Sequence, residues 1–213
     1  MSFDSLIDRL ADDLTPVRRR RPWVDMLTVA AIAGMELALL FAVGFAHMSV
    51  HRLMTEPTVW WRLASLGLIS VLSGALAIRS FDPAYSPKVG LRWLALVAGI
   101  CLTSGLLTGG LPGGLAGIAR RLDWTSGAGC AYKMALLSVP PLIGLALLGR
   151  RGAPTDLRRT PLLIGLAAAA WGAFAFVFAC PFNDPLYITV WYSVGCGIVI
   201  VLARLILPRI ARW

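Results

Sequence analysis

The stretch "PLLIGLAAAAWGAFAFVFACPFNDPLYITVWYSVGCGIVIVLARLIL", residues 161–207, decides the fold. Two apolar runs of about 20 residues flank a short polar break, Cys180-Pro181-Phe182-Asn183-Asp184-Pro185. A helix of that length crosses a bilayer, because it rises 1.5 Å per residue against a hydrocarbon core about 30 Å thick. The break is too short for a domain, and its two prolines make it a stiff turn. Asp184-Pro185 reads as an N-cap with proline at the first helical position. The stretch is therefore read as a transmembrane helical hairpin.

The same pattern extends along the chain. Apolar segments of span length are expected at 24–46, 58–78, 91–109, 131–149, 161–180 and 186–207. Glu56-Pro57, Ser86-Pro87 and the Gly-rich run at 109–114 interrupt them, and Thr160-Pro161 reads as a second N-cap. The chain is 58% hydrophobic and 15% charged, against about 25% charged in soluble domains. A soluble fold would lack polar cover for such a core. The expected class is all-α: a polytopic membrane protein with six transmembrane helices. Its parts are a cytoplasmic segment at 1–23, a six-helix domain at 24–207 and a cytoplasmic tail at 208–213. No cleavable signal peptide is expected.

Charge sets the expected orientation. The net charge of +9 invites a nucleic-acid reading, but the basic residues cluster at span ends. Fifteen of the 20 Lys and Arg fall on the N-terminus, the second and fourth loops and the C-terminus. Basic loops stay cytoplasmic, so both termini are expected inside, and no direct nucleic-acid contact is expected. Trp23, Trp60, Trp61, Trp93, Trp124 and Trp213 fall at expected interfaces, where indole is favoured. Trp171 and Trp191 fall inside spans and are expected to pack against other helices.

Four cysteines are present. Cys101 and Cys196 lie within spans and read as small apolar residues. Cys130 and Cys180 fall at the outer ends of spans four and five. Outside a bacterial cytoplasmic membrane such a pair can form a disulfide, a permanent staple, a sensor, or no bond. It lacks Cys-x-x-Cys spacing, which weakens a thioredoxin-like reading.

The N-terminus carries its own pattern. Phe3, Leu6, Ile7, Leu10 and Leu14 recur at helical spacing, while Asp4, Asp8, Asp12 and Asp13 occupy much of the remaining surface. Thr15-Pro16 ends this amphipathic helix, and Arg18–Arg21 mark the membrane edge. Its acidic face is unsuited to anionic lipid. A protein groove with basic surroundings suits it, either on a partner or on the chain's own loops at Arg150, Arg151, Arg158 and Arg159.

Other polar residues are isolated. Glu36 lies mid-span, where an ionisable group marks either transport or a bundle hydrogen bond. His47 and His51 sit four apart near the outer surface and read as solvated. The glycine-rich run lacks a Gly-Lys-Ser/Thr ending, so it is no phosphate loop. No nucleophile–base pair, metal site or cofactor motif is present, and an enzyme is not expected.

Four segments remain to be read together: "LIDRLADDLTPVRRRRPW" at 6–23, "CAYKMALLSVPPL" at 130–142, "RRGAPT" at 150–155 and "CPFNDPLYITVWYSVG" at 180–195. In this order and spacing they resemble the NrsF family. The resemblance covers nearly the whole chain through order and spacing rather than one strong motif. It departs from the family pattern in the Gly-rich outer loop at 109–117. It implies a six-span anti-sigma factor of the bacterial inner membrane, which holds an extracytoplasmic-function sigma factor until an envelope signal releases it. It also implies that Cys130 and Cys180 take part in the signal response. Sigma binding would fall on Phe3, Leu6, Ile7, Asp8, Leu10, Asp12, Asp13 and Leu14, supported by the four loop arginines. The expected partners are that sigma factor and membrane lipid. The alternatives are a membrane thiol–disulfide redox protein and a small transporter using Glu36.

Overall fold

A computed structural model describes residues 21–46, 55–109, 114–152 and 156–210. Eight helices run through them: α1 (Pro22–Ala42), α2 (Pro57–Arg79), α3 (Lys88–Gly109), α4 (Gly114–Leu122), α5 (Trp124–Leu137), α6 (Val139–Arg150), α7 (Arg159–Val177) and α8 (Pro185–Ile210). The described residues contain no strand. They supply six helical segments long and apolar enough to cross a membrane. The fourth of these covers Arg120 to Arg150 and takes in the end of α4, α5 and α6.

Helix starts follow the local chemistry. Proline opens α1, α2 and α8, where its missing N–H is no loss. Asp184 caps α8 as expected, accepting from Leu186 N at 3.0 Å. The expected cap at Thr160 is corrected: α7 begins at Arg159. Asp156 Oδ1 accepts instead from the backbone N–H of Arg158 at 3.2 Å and of Arg159 at 2.9 Å. Asp156 also pairs with the Arg159 side chain at 3.0 Å.

Helix α7 forms the centre of the bundle and packs against α2, α5, α6 and α8. Its sequence explains why. Gly165, Ala167, Ala168, Ala169, Ala170, Gly172, Ala173 and Ala175 are all buried, and small side chains let neighbouring backbones approach. At Gly165, an added Cβ would stand 3.1 Å from Ile200 Cα on α8. Helices α1 and α3 lie at the periphery and expose long apolar side chains, among them Met35, Leu39, Ile100 and Leu107.

The fourth span starts earlier than its apolar pattern indicates. The stretch expected as an outer loop, about 110–130, holds α4 and the first half of α5 among its described residues. Asp123, at φ 28°, turns the chain between them; short polar residues tolerate this conformation better than most. Its carboxylate accepts from Thr125 Oγ1 at 2.8 Å. A second interruption comes at Ser138, between α5 and α6. Pro140 and Pro141 lack the N–H groups that would continue the hydrogen-bond ladder, which breaks the helix there.

Glu36 has a specific partner. Trp171 Nε1 donates to Glu36 Oε2 at 2.9 Å, tying α1 to α7, while the buried Oε1 has no hydrogen-bond partner. Removing a donor from a buried acceptor costs about 1–3 kcal/mol. Trp171→Phe is therefore expected to lower thermal stability in detergent by that amount, with less loss in a Glu36→Leu background. Equal losses in both backgrounds would dissociate the tryptophan's role from Glu36.

Candidate functional site

The polar turn between α7 and α8 is built into one end of the bundle by two arginines. Arg62, on the second turn of α2, is 1% exposed. Its Nη1 donates to Phe182 O at 3.2 Å and its Nη2 to Asn183 Oδ1 at 2.8 Å. Asn183 in turn donates to Glu56 Oε2. Arg121, on α4, forms a fork with Asp184: Nε to Oδ2 at 2.7 Å and Nη2 to Oδ1 at 2.5 Å. The same Nη2 reaches Gly109 O at 3.0 Å. Burial pushes the Asp184 carboxyl up, but the Arg121 pair and the Leu186 N–H hold it below the usual carboxylate range.

This framework brings Cys130 and Cys180 into side-chain hydrogen-bond contact. Cys130 lies within α5 and Cys180 in the turn, and both are buried in one apolar cluster with Tyr187, Trp191 and Tyr192. Both are free thiols. Tyr187 Oη donates to Cys130 Sγ at 3.4 Å. Cys180 donates to Phe182 O at 3.8 Å. The Cys130 S–H bond favours the Cys180 thiolate strongly enough to overcome burial. With the Phe182 N–H, Tyr192 hydroxyl and Arg62 charge, it lowers the Cys180 thiol to about 6. A low thiol pKa next to a second sulfur is the arrangement that favours oxidation or soft-metal binding.

The surrounding ring packing fixes this geometry. Phe182 and Tyr187 lie 4.5 Å apart, ring centroid to centroid. Trp191 packs edge-on against Trp124 at 5.4 Å and donates to Leu122 O at 2.6 Å. Gly127 makes room for it, since an added Cβ there would stand 1.9 Å from the Trp191 ring. Cys101 and Cys196 stand apart from the pair, half-buried, with Cys196 donating to Ala169 O at 3.6 Å.

The opposite end of α5–α6 and α7 is basic. Arg150 and Arg151 are exposed where α6 ends, and Arg158 is exposed before α7. Arg158 and Arg159 line a cleft of ≈ 450 Å³ with Lys88, Tyr85 and Asp156. An adjoining hollow adds Arg92. The structure therefore places two of the four expected loop arginines in the cleft and adds Lys88 and Arg92. Phe3, Leu6, Ile7, Asp8, Leu10, Asp12, Asp13 and Leu14 lie outside the described residues, as do His47 and His51.

The family model described as "Negative regulator of sigma F", NrsF, matches residues 10–213. The chain belongs to the NrsF family. It is similar to the Anti-sigma-F factor NrsF of Caulobacter vibrioides (strain NA1000 / CB15N), at 27% identity over 199 residues and 92% of each chain. No solved structure matches. Membership makes this an anti-sigma factor family protein, with a regulatory family role.

Two of the segments carrying the NrsF resemblance meet at the thiol site: 130–142 forms most of α5 and the start of α6, and 180–195 forms the turn and the start of α8. The residues that sequence reading missed are Arg62, Arg121, Asn183, Tyr187 and Tyr192. Arg62 carried a usable signal, because an arginine inside an expected span needs a buried partner. The tyrosines carried none, as aromatic residues in a span read equally well as packing.

Proposed function

We propose that this protein holds an extracytoplasmic-function sigma factor at the bacterial inner membrane, with both termini in the cytoplasm. It releases that factor when an envelope redox or metal stress changes the state of Cys130 and Cys180. The observation that carries this reading is the contact between two thiols fifty residues apart, one of them held toward its thiolate form. A hydroperoxide-class oxidant would take two electrons from the pair, both thiol protons would leave, and one S–S bond would form as the oxidant is reduced. A soft cation would instead be held by Cys130 and Cys180, displacing the same protons.

The partner would bind at the basic end. The acidic, amphipathic N-terminal helix would present Leu6, Leu10 and Leu14 to a groove on the sigma factor. Asp8, Asp12 and Asp13 would complement either its basic DNA-binding surfaces or the cleft at Lys88, Arg92, Arg158 and Arg159. Arg150 and Arg151 extend that basic end. In this reading no catalysis is involved, and the sigma factor and lipid are the partners.

Co-purification in mild detergent tests both halves. A sigma factor is expected with the wild-type chain and to fall by more than about tenfold with Leu6→Asp, Leu10→Asp, since central apolar anchors dominate such interfaces. Pretreating membranes with cadmium or a hydroperoxide is expected to release it from wild type and leave it bound to Cys130→Ser, Cys180→Ser. Absence of any sigma factor alongside folded protein would remove the partner assignment. Equal release from the serine variant would remove the sensor.

A further inference from the structure

A basic cleft and an apolar hollow meet beside the first turns of α3, at the end of the bundle away from the thiols. The cleft, of ≈ 450 Å³, lies between the α2–α3 turn and the start of α7. The hollow, of ≈ 270 Å³, shares Lys88 and Arg159 with it and continues past Arg92 to Leu91 and Ala95. From Lys88 to Ala95 is about 10 Å along the helix. Over that distance the lining changes from charged to almost wholly apolar. Trp93 is exposed beside Arg92, and indole favours the membrane interface. In the membrane reading the change therefore falls where head groups give way to hydrocarbon.

The charges here do not cancel. Asp156 is the one carboxylate among the described residues lining the cleft, and it pairs with Arg159 at 3.0 Å. Lys88, Arg92 and Arg158 are exposed and form no ion pair among the described residues. Three cations with open heads thus border one apolar hollow. Basic pockets between helices at a membrane surface recruit anionic head groups.

We infer that the cleft and hollow bind one anionic glycerophospholipid, its phosphate held among Lys88, Arg92 and Arg158 and an acyl chain lying against Leu91 and Ala95. The pairing of charge with depth selects this occupant. A free phosphate has no use for the hollow. An acidic peptide would meet the cations but leave the hollow empty, since carrying carboxylates toward hydrocarbon is costly. A zwitterionic lipid fills the hollow and brings no net charge. The inference rests on the membrane reading alone. Lipid in the cleft would leave Asp8, Asp12 and Asp13 to the partner rather than to the chain's own loops.

The full chain in maltoside detergent is titrated with phosphatidylglycerol and, separately, with phosphatidylcholine of the same chains, and bound lipid is counted by native mass spectrometry. One phosphatidylglycerol is expected to bind saturably, about tenfold more tightly than phosphatidylcholine. Each cation near a lipid surface is worth about fivefold, so Lys88→Gln, Arg92→Gln, Arg158→Gln should weaken binding about a hundredfold. Arg79→Gln, Arg204→Gln, Arg209→Gln removes the same charge from exposed positions outside the cleft and should leave binding unchanged. Ala95→Phe, at an exposed position, fills the hollow and should also weaken it. Equal binding of the two lipids, equal loss in the two triple variants, displacement by glycerol phosphate at matched concentration, or full binding in Ala95→Phe would each overturn the assignment. Binding raised severalfold in Asp8→Asn, Asp12→Asn, Asp13→Asn would give the cleft to the chain's own N-terminal segment instead. The assay contains no sigma factor, so its outcome is separate from the partner assignment.

Discussion

Replacing Cys130 by alanine is expected to raise the pH at which Cys180 forms its thiolate and so to lower the thiolate fraction at pH 7. The Cys180 thiol stands at about 6, and the largest cause is the hydrogen bond from Cys130. Without that donor, burial opposes the remaining help from Phe182, Tyr192 and Arg62, and the thiol moves up toward the ordinary cysteine range. Thiolate absorbance in the ultraviolet, followed against pH, reads this directly in a Cys101→Ala, Cys196→Ala background. Cys130→Ser keeps a donor at the same place and should retain much of the shift. A midpoint unchanged by Cys130→Ala would mean that the sulfurs do not share a proton.

The sign of the linked stability follows. Cys180 is more acidic in the folded state than in the unfolded one, so its anion favours folding. That contribution is complete above about 8.5, the unfolded value. It declines as pH falls and is gone below about 6, the folded value. Oxidation of the pair also requires the thiolate, so the site is most reactive over the range in which its charge stabilises it.

Gly172→Ala is expected to destabilise the bundle by about 3 kcal/mol, at the upper end for overpacking by one methyl group. An added Cβ at Gly172 would stand 2.2 Å from Ser138 Oγ, 2.7 Å from Met134 O and 2.8 Å from Ser138 N. Two of those three atoms are backbone, so no rotamer change relieves the clash. Adding Ser138→Ala should therefore recover little. Gly34→Ala, where nothing lies within 4 Å, should leave the melting temperature in detergent unchanged or raised. A Gly172→Ala protein as stable as wild type would show that α5 and α7 separate freely at this point.

Legibility in the sequence followed the strength of the local signal. The six apolar segments were readable because each is long and bounded by proline or glycine. Asp184 was readable as a cap from its neighbour Pro185. The start of the fourth span was not: Arg120, Arg121 and Asp123 interrupt its apolar pattern, yet Arg121 turns to Asp184 on the neighbouring hairpin. Trp61 matched the interfacial pattern but is half-buried and bonds to Ser104 on α3. Arg62 lies inside an expected span, and its place under the turn depends on carbonyl and amide groups about 120 residues away. Contacts between cysteines so far apart in the chain cannot be derived from spacing. Thr160 matched the cap pattern as well as Asp156 did, and only the backbone geometry separates them.

The interruption at Ser138 marks the one point between α5 and α6 where two consecutive prolines withhold N–H groups from the helix. Gly172 of α7 lies against it so closely that a side chain there would collide with Ser138. From Ser138 the span runs eight residues back to Cys130 and twelve on to Arg150, about 12 Å and 18 Å. The thiol and the arginine end of this span therefore stand on opposite sides of one close contact with α7.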